Sequence, residues 1–237
     1  MSAHRLDVQT TGNDVTWLYR VGGIAAIVLA LAYTITIPLY FSAGATPQGG
    51  EAWLHYLDGK TTLWWAILGL SILTDFLFIP VSIALYFALK HINRNLLLIG
   101  LGFVLLFAVL DLAVTWPNYA SLINLSSSYA TASSDAQRAA FVAAASYADA
   151  VLPYSLSVYS IVVISFGILL VALVMLKGVF NKLTAYVGLA TGILGVGATV
   201  GSFFVPALGA VVILTSILTI VWLLFVGHRL YRLNPSL

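Results

Sequence analysis

Residues 61–118, TTLWWAILGLSILTDFLFIPVSIALYFALKHINRNLLLIGLGFVLLFAVLDLAVTWPN, hold two long apolar runs on either side of a short charged knot, Lys90-His91-Ile92-Asn93-Arg94. The first run, 61–89, carries Asp75 as its one charged residue, and the second, 95–134, carries only Asp111. Each exceeds the roughly 20 residues that cross a bilayer core as a helix. In hydrocarbon every backbone N–H and C=O must be bonded within its own segment, so such runs cross as helices. The stretch therefore reads as a helical hairpin, and it makes the fold class all-α: a polytopic membrane bundle.

Working outward, charges and turn residues punctuate the rest of the chain in the same way. Residues 21–50 are uncharged, and Thr46-Pro47-Gln48-Gly49-Gly50 ends a first helix near Phe41. Its apolar length is beyond the roughly 7 to 15 residues of a signal-peptide core, so it is read as an uncleaved helix. Residues 150–176 are uncharged and are closed by Lys177. The stretch 183–228 has no Asp, Glu, Lys or Arg, and as one helix it would reach about 69 Å. A break between Ser202 and Gly209, where Pro206 sits, divides it. Six spans follow, roughly 17–41, 61–89, 95–118, 151–176, 183–203 and 208–230, in a single transmembrane domain covering 1–237.

Composition agrees. Of 237 residues 61% are hydrophobic and 8% charged, where a soluble domain carries about a quarter charged residues. Arg5, Arg20, Lys90, Arg94, Lys177, Lys182, Arg229 and Arg232 fall on one side of the map, and only Lys60 and Arg138 on the other. Short basic loops stay in the cytoplasm, so both termini are expected there, in a multi-pass protein of the cell membrane. The net charge of +2 follows topology and forms no patch for nucleic acid. Most Trp and Tyr residues, among them Tyr40, Trp64, Trp65, Trp116, Tyr119, Tyr154 and Trp222, fall near span ends and read as interface anchors.

The absence of cysteine removes disulfides, thiolate metal sites and a thiol nucleophile. His4, His55, His91 and His228 share no depth on facing helices, which disfavours haem and intramembrane zinc, and no buried Lys is present for a Schiff base. No metal, cofactor or catalytic residue is assigned.

Two outer segments carry local signals. Gly50 to Lys60 reads as a short helix with Trp53, Leu54 and Tyr56 on an apolar side that rests in the headgroup layer. Ser134-Asp135-Ala136-Gln137 resembles a capping box opening an Ala-rich helix into the fourth span. At an offset of 88 residues Asn93-Arg94 and Gly100 lie over Asn181-Lys182 and Gly188, as a parallel repeat would place them.

The positions richest in chemistry are Asp75 and Asp111, because a carboxylate in hydrocarbon is costly and faces a bundle interior, a cavity or a partner. Asp75 lies 15 residues before Lys90 and Asp111 lies 17 after Arg94, about 22 and 26 Å up two antiparallel helices. Helical spacing adds Ser71 and Ser82 to the face of Asp75, and Thr115 and Asn118 to that of Asp111. With no base at that depth, a close pair is expected to share one proton. A ligand- or proton-binding pocket between helices two, three and four would comprise Asp75, Asp111, Ser71, Thr115 and Asn118, extended by Tyr154 and Ser157. Interhelical hydrogen bonding alone is the plainer reading of the same residues. On helix five Gly188-x-x-x-Gly192 and Gly197-x-x-x-Gly201 permit close helix packing, within one chain or between two.

The pattern from Asp75 to Asn95, Asp-x-x-x-x-Pro-x-x-x-x-Leu-Tyr-x-x-Leu-Lys-x-x-Asn-Arg-Asn, and the run from Trp222 to Leu233, WLLFVGHRLYRL, resemble a family of small six-helix prokaryotic membrane proteins catalogued as a domain of unknown function. The resemblance implies the bundle and no activity. From the residues themselves, the expected function is small-solute or proton-coupled binding and transport. The alternatives are a noncatalytic accessory subunit of a membrane complex and an intramembrane lipid-modifying enzyme. The expected partners are membrane lipids, with a second copy or a partner subunit as a further option and no nucleic acid.

Overall fold

The computed structural model describes residues 2–233, with side chains from Val15 onward except that of Pro206. The side chains of Arg5, His4 and Pro206, used in the charge map and the turn assignment, lie outside that description.

The described chain is helical throughout: α1 (Ser2–Ala43), α2 (Gly50–Leu57), α3 (Thr61–Leu110), α4 (Trp116–Ala130), α5 (Asp135–Tyr154), α6 (Ile164–Met175), α7 (Lys182–Ser202) and α8 (Val211–Arg232). Two π-helical stretches, Asp111–Thr115 and Ser155–Val163, join α3 to α4 and α5 to α6. Five continuous stretches are long and apolar enough to cross a membrane: Val15–Ala43, Thr61–Ala130, Asp135–Met175, Lys182–Ser202 and Ala207–Arg232.

The second of these is the hairpin of the opening sequence. Asn93 leaves helical geometry (φ −154°, ψ 90°), and its Oδ1 accepts the Leu96 N–H at 3.1 Å, capping a new helix. The chain doubles back there, because Ser82 and Leu101 line one small cavity although a straight helix would hold them roughly 29 Å apart. Asn181 repeats the device at the start of α7, accepting from Thr184 N–H at 2.8 Å. The expected division of the last apolar stretch falls at Phe203–Val205, after which a short 3-10 turn, Pro206–Ala210, leads into α8.

The chain divides into two compact units. Unit 1 comprises Met1–Leu31, Phe76–Leu106 and Ile161–Leu237, and unit 2 comprises Ala32–Asp75 and Phe107–Ser160. Unit 1 is held by helices pressed backbone to backbone. A Cβ added at Gly192 would stand 2.5 Å from Leu169 Cβ and 2.8 Å from the Ser165 carbonyl, and one at Gly188 would stand 2.8 Å from Ala172 Cβ. Both glycines of the first pair thus pack α7 on α6 within one chain. Gly197 has nothing within 4 Å of such a Cβ, and Gly201 approaches only Leu208.

Unit 2 is built on rings. Trp53, Leu54 and Leu57 of α2 are buried against α4 and α5, so the apolar side of this short helix is covered by protein instead of the expected headgroups. Trp64 stacks on Tyr119 with centroids 5.1 Å apart, and Trp53 meets both edge-on. Asp149 ties α2 to α5, its carboxylate accepting the Trp53 indole N–H at 2.8 Å and the Gly49 N–H at 2.9 Å. The Ser134 hydroxyl accepts from Gln137 N–H as a capping box requires, while the Gln137 side chain reaches back to Ser133 N–H.

Of the residues read as interface anchors, Trp64, Trp116, Tyr119 and Trp222 are instead buried, whereas Trp65 and Tyr154 are exposed. A ring that can anchor at an interface can equally fill a core, and hydropathy does not separate the two uses.

Candidate functional site

Asp75 and Asp111 both lie in unit 2, each 1% exposed. Forty-one residues separate Asp75 from Trp116, yet the Trp116 indole N–H donates to Asp75 Oδ2 because the chain has turned back at Asn93. Asp111 Oδ1 accepts two hydroxyls, Thr115 Oγ1 at 2.8 Å and Ser160 Oγ at 2.7 Å. Asp111 opens the turn that carries Trp116, the donor to Asp75, so one short segment links the two acids. Thr74 Oγ1, one residue before Asp75, donates to the Ser71 carbonyl at 2.6 Å.

The local backbone explains part of this arrangement. Asp111 opens a π-helical turn in which Trp116 N–H bonds to Asp111 O, five residues back. Pro117 follows directly and has no N–H to return to the preceding turn. Ser160 sits in the other π-helical stretch, which begins two residues after Pro153. Such turns are rare, leave helical carbonyls imperfectly paired and recur at functional sites. Trp116 is held in place by stacking on Tyr119, centroids 6.1 Å apart, and Tyr119 in turn stacks on Trp64.

Of the residues expected at the site, Asp75, Asp111, Ser71 and Thr115 are all buried, and a hydrogen bond joins Thr115 to Asp111. Asn118 is half-buried and its side-chain amide donates to the Val114 carbonyl of its own helix, at 2.8 Å. Tyr154 is 68% exposed, and Ser157 is half-buried. From this later stretch the hydroxyl that reaches Asp111, alongside that of Thr115, belongs to Ser160. The π-helical i→i+5 winding of 155–163 places more residues in each turn, so a face extrapolated at α-helical spacing from Tyr154 drifts off target. Ser82 lies in unit 1 and takes no part.

Two signals in the sequence pointed to the residues missed. Ser160 lies 17 residues before Lys177, the same count by which Asp111 follows Arg94, so both stand about 26 Å along their helices from a basic loop. Trp116 lies five residues beyond Asp111, but side chains lean toward the helix N-terminus, and a long indole spans that step.

Every side-chain partner of the carboxyls is a neutral N–H or O–H donor. Such donors stabilise a carboxylate without neutralising it. The Trp116 N–H has no lone pair, so Asp75 Oδ2 stays an acceptor and a proton on Asp75 belongs on its other oxygen. The Thr115 and Ser160 hydroxyls can rotate, so Asp111 can meet them in either protonation state. Among the described residues no group of three or more His, Cys, Asp or Glu is placed to hold a metal ion.

No family model, no curated protein and no solved structure matches this chain, so the likeness of 75–95 and 222–233 to the six-helix family stands on those residues alone.

Proposed function

We propose that this chain is an integral membrane protein crossing the bilayer six times, with both termini cytoplasmic, and that Asp75 and Asp111 form a proton-binding site that couples to movement or binding of a small solute. The break at Asn93 supports six crossings from five apolar stretches, since residues 61–92 and 94–130 are each long enough to span about 30 Å. Asp135–Met175, 41 residues and about 62 Å long, exceeds that thickness twofold, which accords with its charged first half standing outside the hydrocarbon.

The observation that carries the functional reading is the pair of carboxyls buried to 1% exposure, linked through the turn that holds Trp116 and met, among the described residues, by neutral donors. A purely structural contact needs one hydrogen-bonded polar group per helix. Two acids without a base, set beside two π-helical stretches, form a costly arrangement that serves a proton better than a scaffold.

Infrared difference spectra of the protein in lipid after a pH step test this directly. A protonated-carboxyl band that appears and disappears with pH, and that is lost in Asp75→Asn and Asp111→Asn, is the expected result. A spectrum without such a band across the range in which the protein stays folded would end the proton reading.

A further inference from the structure

From Val15 onward unit 1 contains no Asp or Glu, whereas it carries Arg20, Lys90, Arg94, Lys177, Lys182, Arg229 and Arg232, all exposed. Contacts between the helices gather these seven at one end of the unit. Gly178, next to Lys177, backs onto Leu89 and Ile92, which flank Lys90. The Arg229 Nε donates to the Val179 carbonyl of that same loop at 2.8 Å. Gly23, three residues after Arg20, presses against the backbone of Tyr231 beside Arg232. The first helix, the Asn93 turn, the α6–α7 loop and the end of α8 therefore share one basic collar.

A second feature adjoins the collar. Within about one helical turn of these bases lie exposed apolar side chains: Ile24 after Arg20, Leu98 and Ile99 after Arg94, and Leu183 and Tyr186 after Lys182. A basic rim set above apolar helix faces matches an amphipathic anion, with charge at one end and hydrocarbon at the other. A free polyanion would use the rim and leave the faces unfilled.

We infer that this end of unit 1 selects anionic phospholipids, holding their phosphate headgroups at the basic collar while acyl chains run along the adjoining apolar faces. Orientation by the positive-inside tendency needs only an excess of bases in short loops. Convergence of all seven on one rim, with no Asp or Glu in the unit from Val15 onward to pair with them, goes further and leaves charge for a lipid to neutralise. The inference rests on the membrane reading above and is independent of the acid pair.

Trp17, exposed and one turn before Arg20, is a reporter in place. In a Trp65→Phe background it is the one tryptophan that is not buried. The full chain is reconstituted in phosphatidylcholine vesicles doped with brominated phosphatidylglycerol or brominated phosphatidylcholine, and quenching of Trp17 gives the relative affinity. At low salt the anionic lipid should be preferred about three- to tenfold, and high salt should bring the ratio near one. Replacing Lys90, Arg94, Lys177 and Lys182 together by Gln should do the same at low salt, while Lys60→Gln with Arg138→Gln in unit 2 should leave the preference intact. Equal quenching by the two lipids, a preference that survives high salt, or one that survives the fourfold replacement would overturn the inference and spare the membrane reading. A chain that stays out of the vesicles altogether would overturn both.

Discussion

The two units solve the same packing problem by opposite means. In unit 1, α6, α7 and α8 approach until glycines such as Gly188 and Gly192 have no room for a methyl group. In unit 2, space between α2, α3, α4 and α5 is filled by stacked and edge-on rings, with Trp64 at 1% exposure near the centre. Charge divides in parallel: from Val15 onward every Asp and Glu lies in unit 2, and bases predominate in unit 1. Close backbone contact gains dispersion where lipid offers no hydrophobic advantage to helix association. Large amphipathic rings, by contrast, make room for hydrogen-bonding edges, and this is where the buried acids sit. The difference teaches that unit 1 tolerates no added volume where its helices touch, as at Gly188 and Gly192, while unit 2 tolerates no lost volume in its ring cluster.

Unit 2 breaks most severely. Trp64→Ala should cost about 3–5 kcal/mol, since it empties a ring site in contact with Tyr40, Trp53 and Tyr119. Chemical unfolding in detergent micelles reads this, and a loss under about 1 kcal/mol would mean that the cluster is not the unit's core. In unit 1 the addition of a single carbon is the counterpart. Gly192→Ala should destabilise by about 1–3 kcal/mol through overpacking against Leu169 and Ser165. Gly197→Ala, with open space around it, should be neutral or stabilise by up to about 1 kcal/mol through helix propensity. If the two glycines respond alike, packing between copies replaces packing within the chain as the explanation.

Smaller effects sharpen the contrast inside unit 2. Asp149→Ala removes the acceptor for both Gly49 and Trp53, at a cost of about 1–2 kcal/mol at this half-buried site. Faster hydrogen exchange confined to α2 and its preceding loop should accompany the loss. Ser134→Ala should cost about 0.5–1 kcal/mol and fray only the first turn of α5. An effect of that change on the Trp116 and Asp75 pair would show that the cap and the acid layer form one cooperative element.

Much of the candidate site was legible in the hairpin sequence. Similar counts from the basic turn, 15 and 17 residues, put Asp75 and Asp111 at nearly one height, and i+4 spacing gave Thr115 its bond to Asp111. Extrapolation failed at Tyr154 and Ser157, because regular spacing was carried through a stretch that winds as a π-helix. Trp116 was hidden for another reason: an indole near a span end reads as an anchor unless its partner across the hairpin is known.

The sequence by itself determined where helices begin and stop, since those signals are local: Asn93 and Asn181 cap the chain segment that follows them, charges mark the ends of apolar runs, and the residues before Pro206 break the last one. It also determined that the acids are few and lie deep in apolar segments. Only the tertiary structure decided which rings are buried, which glycines touch a neighbour and which serine meets Asp111. Lipid tails and a protein core are equally apolar, so hydropathy assigns the same value to a side chain facing either one, and only packing breaks that degeneracy.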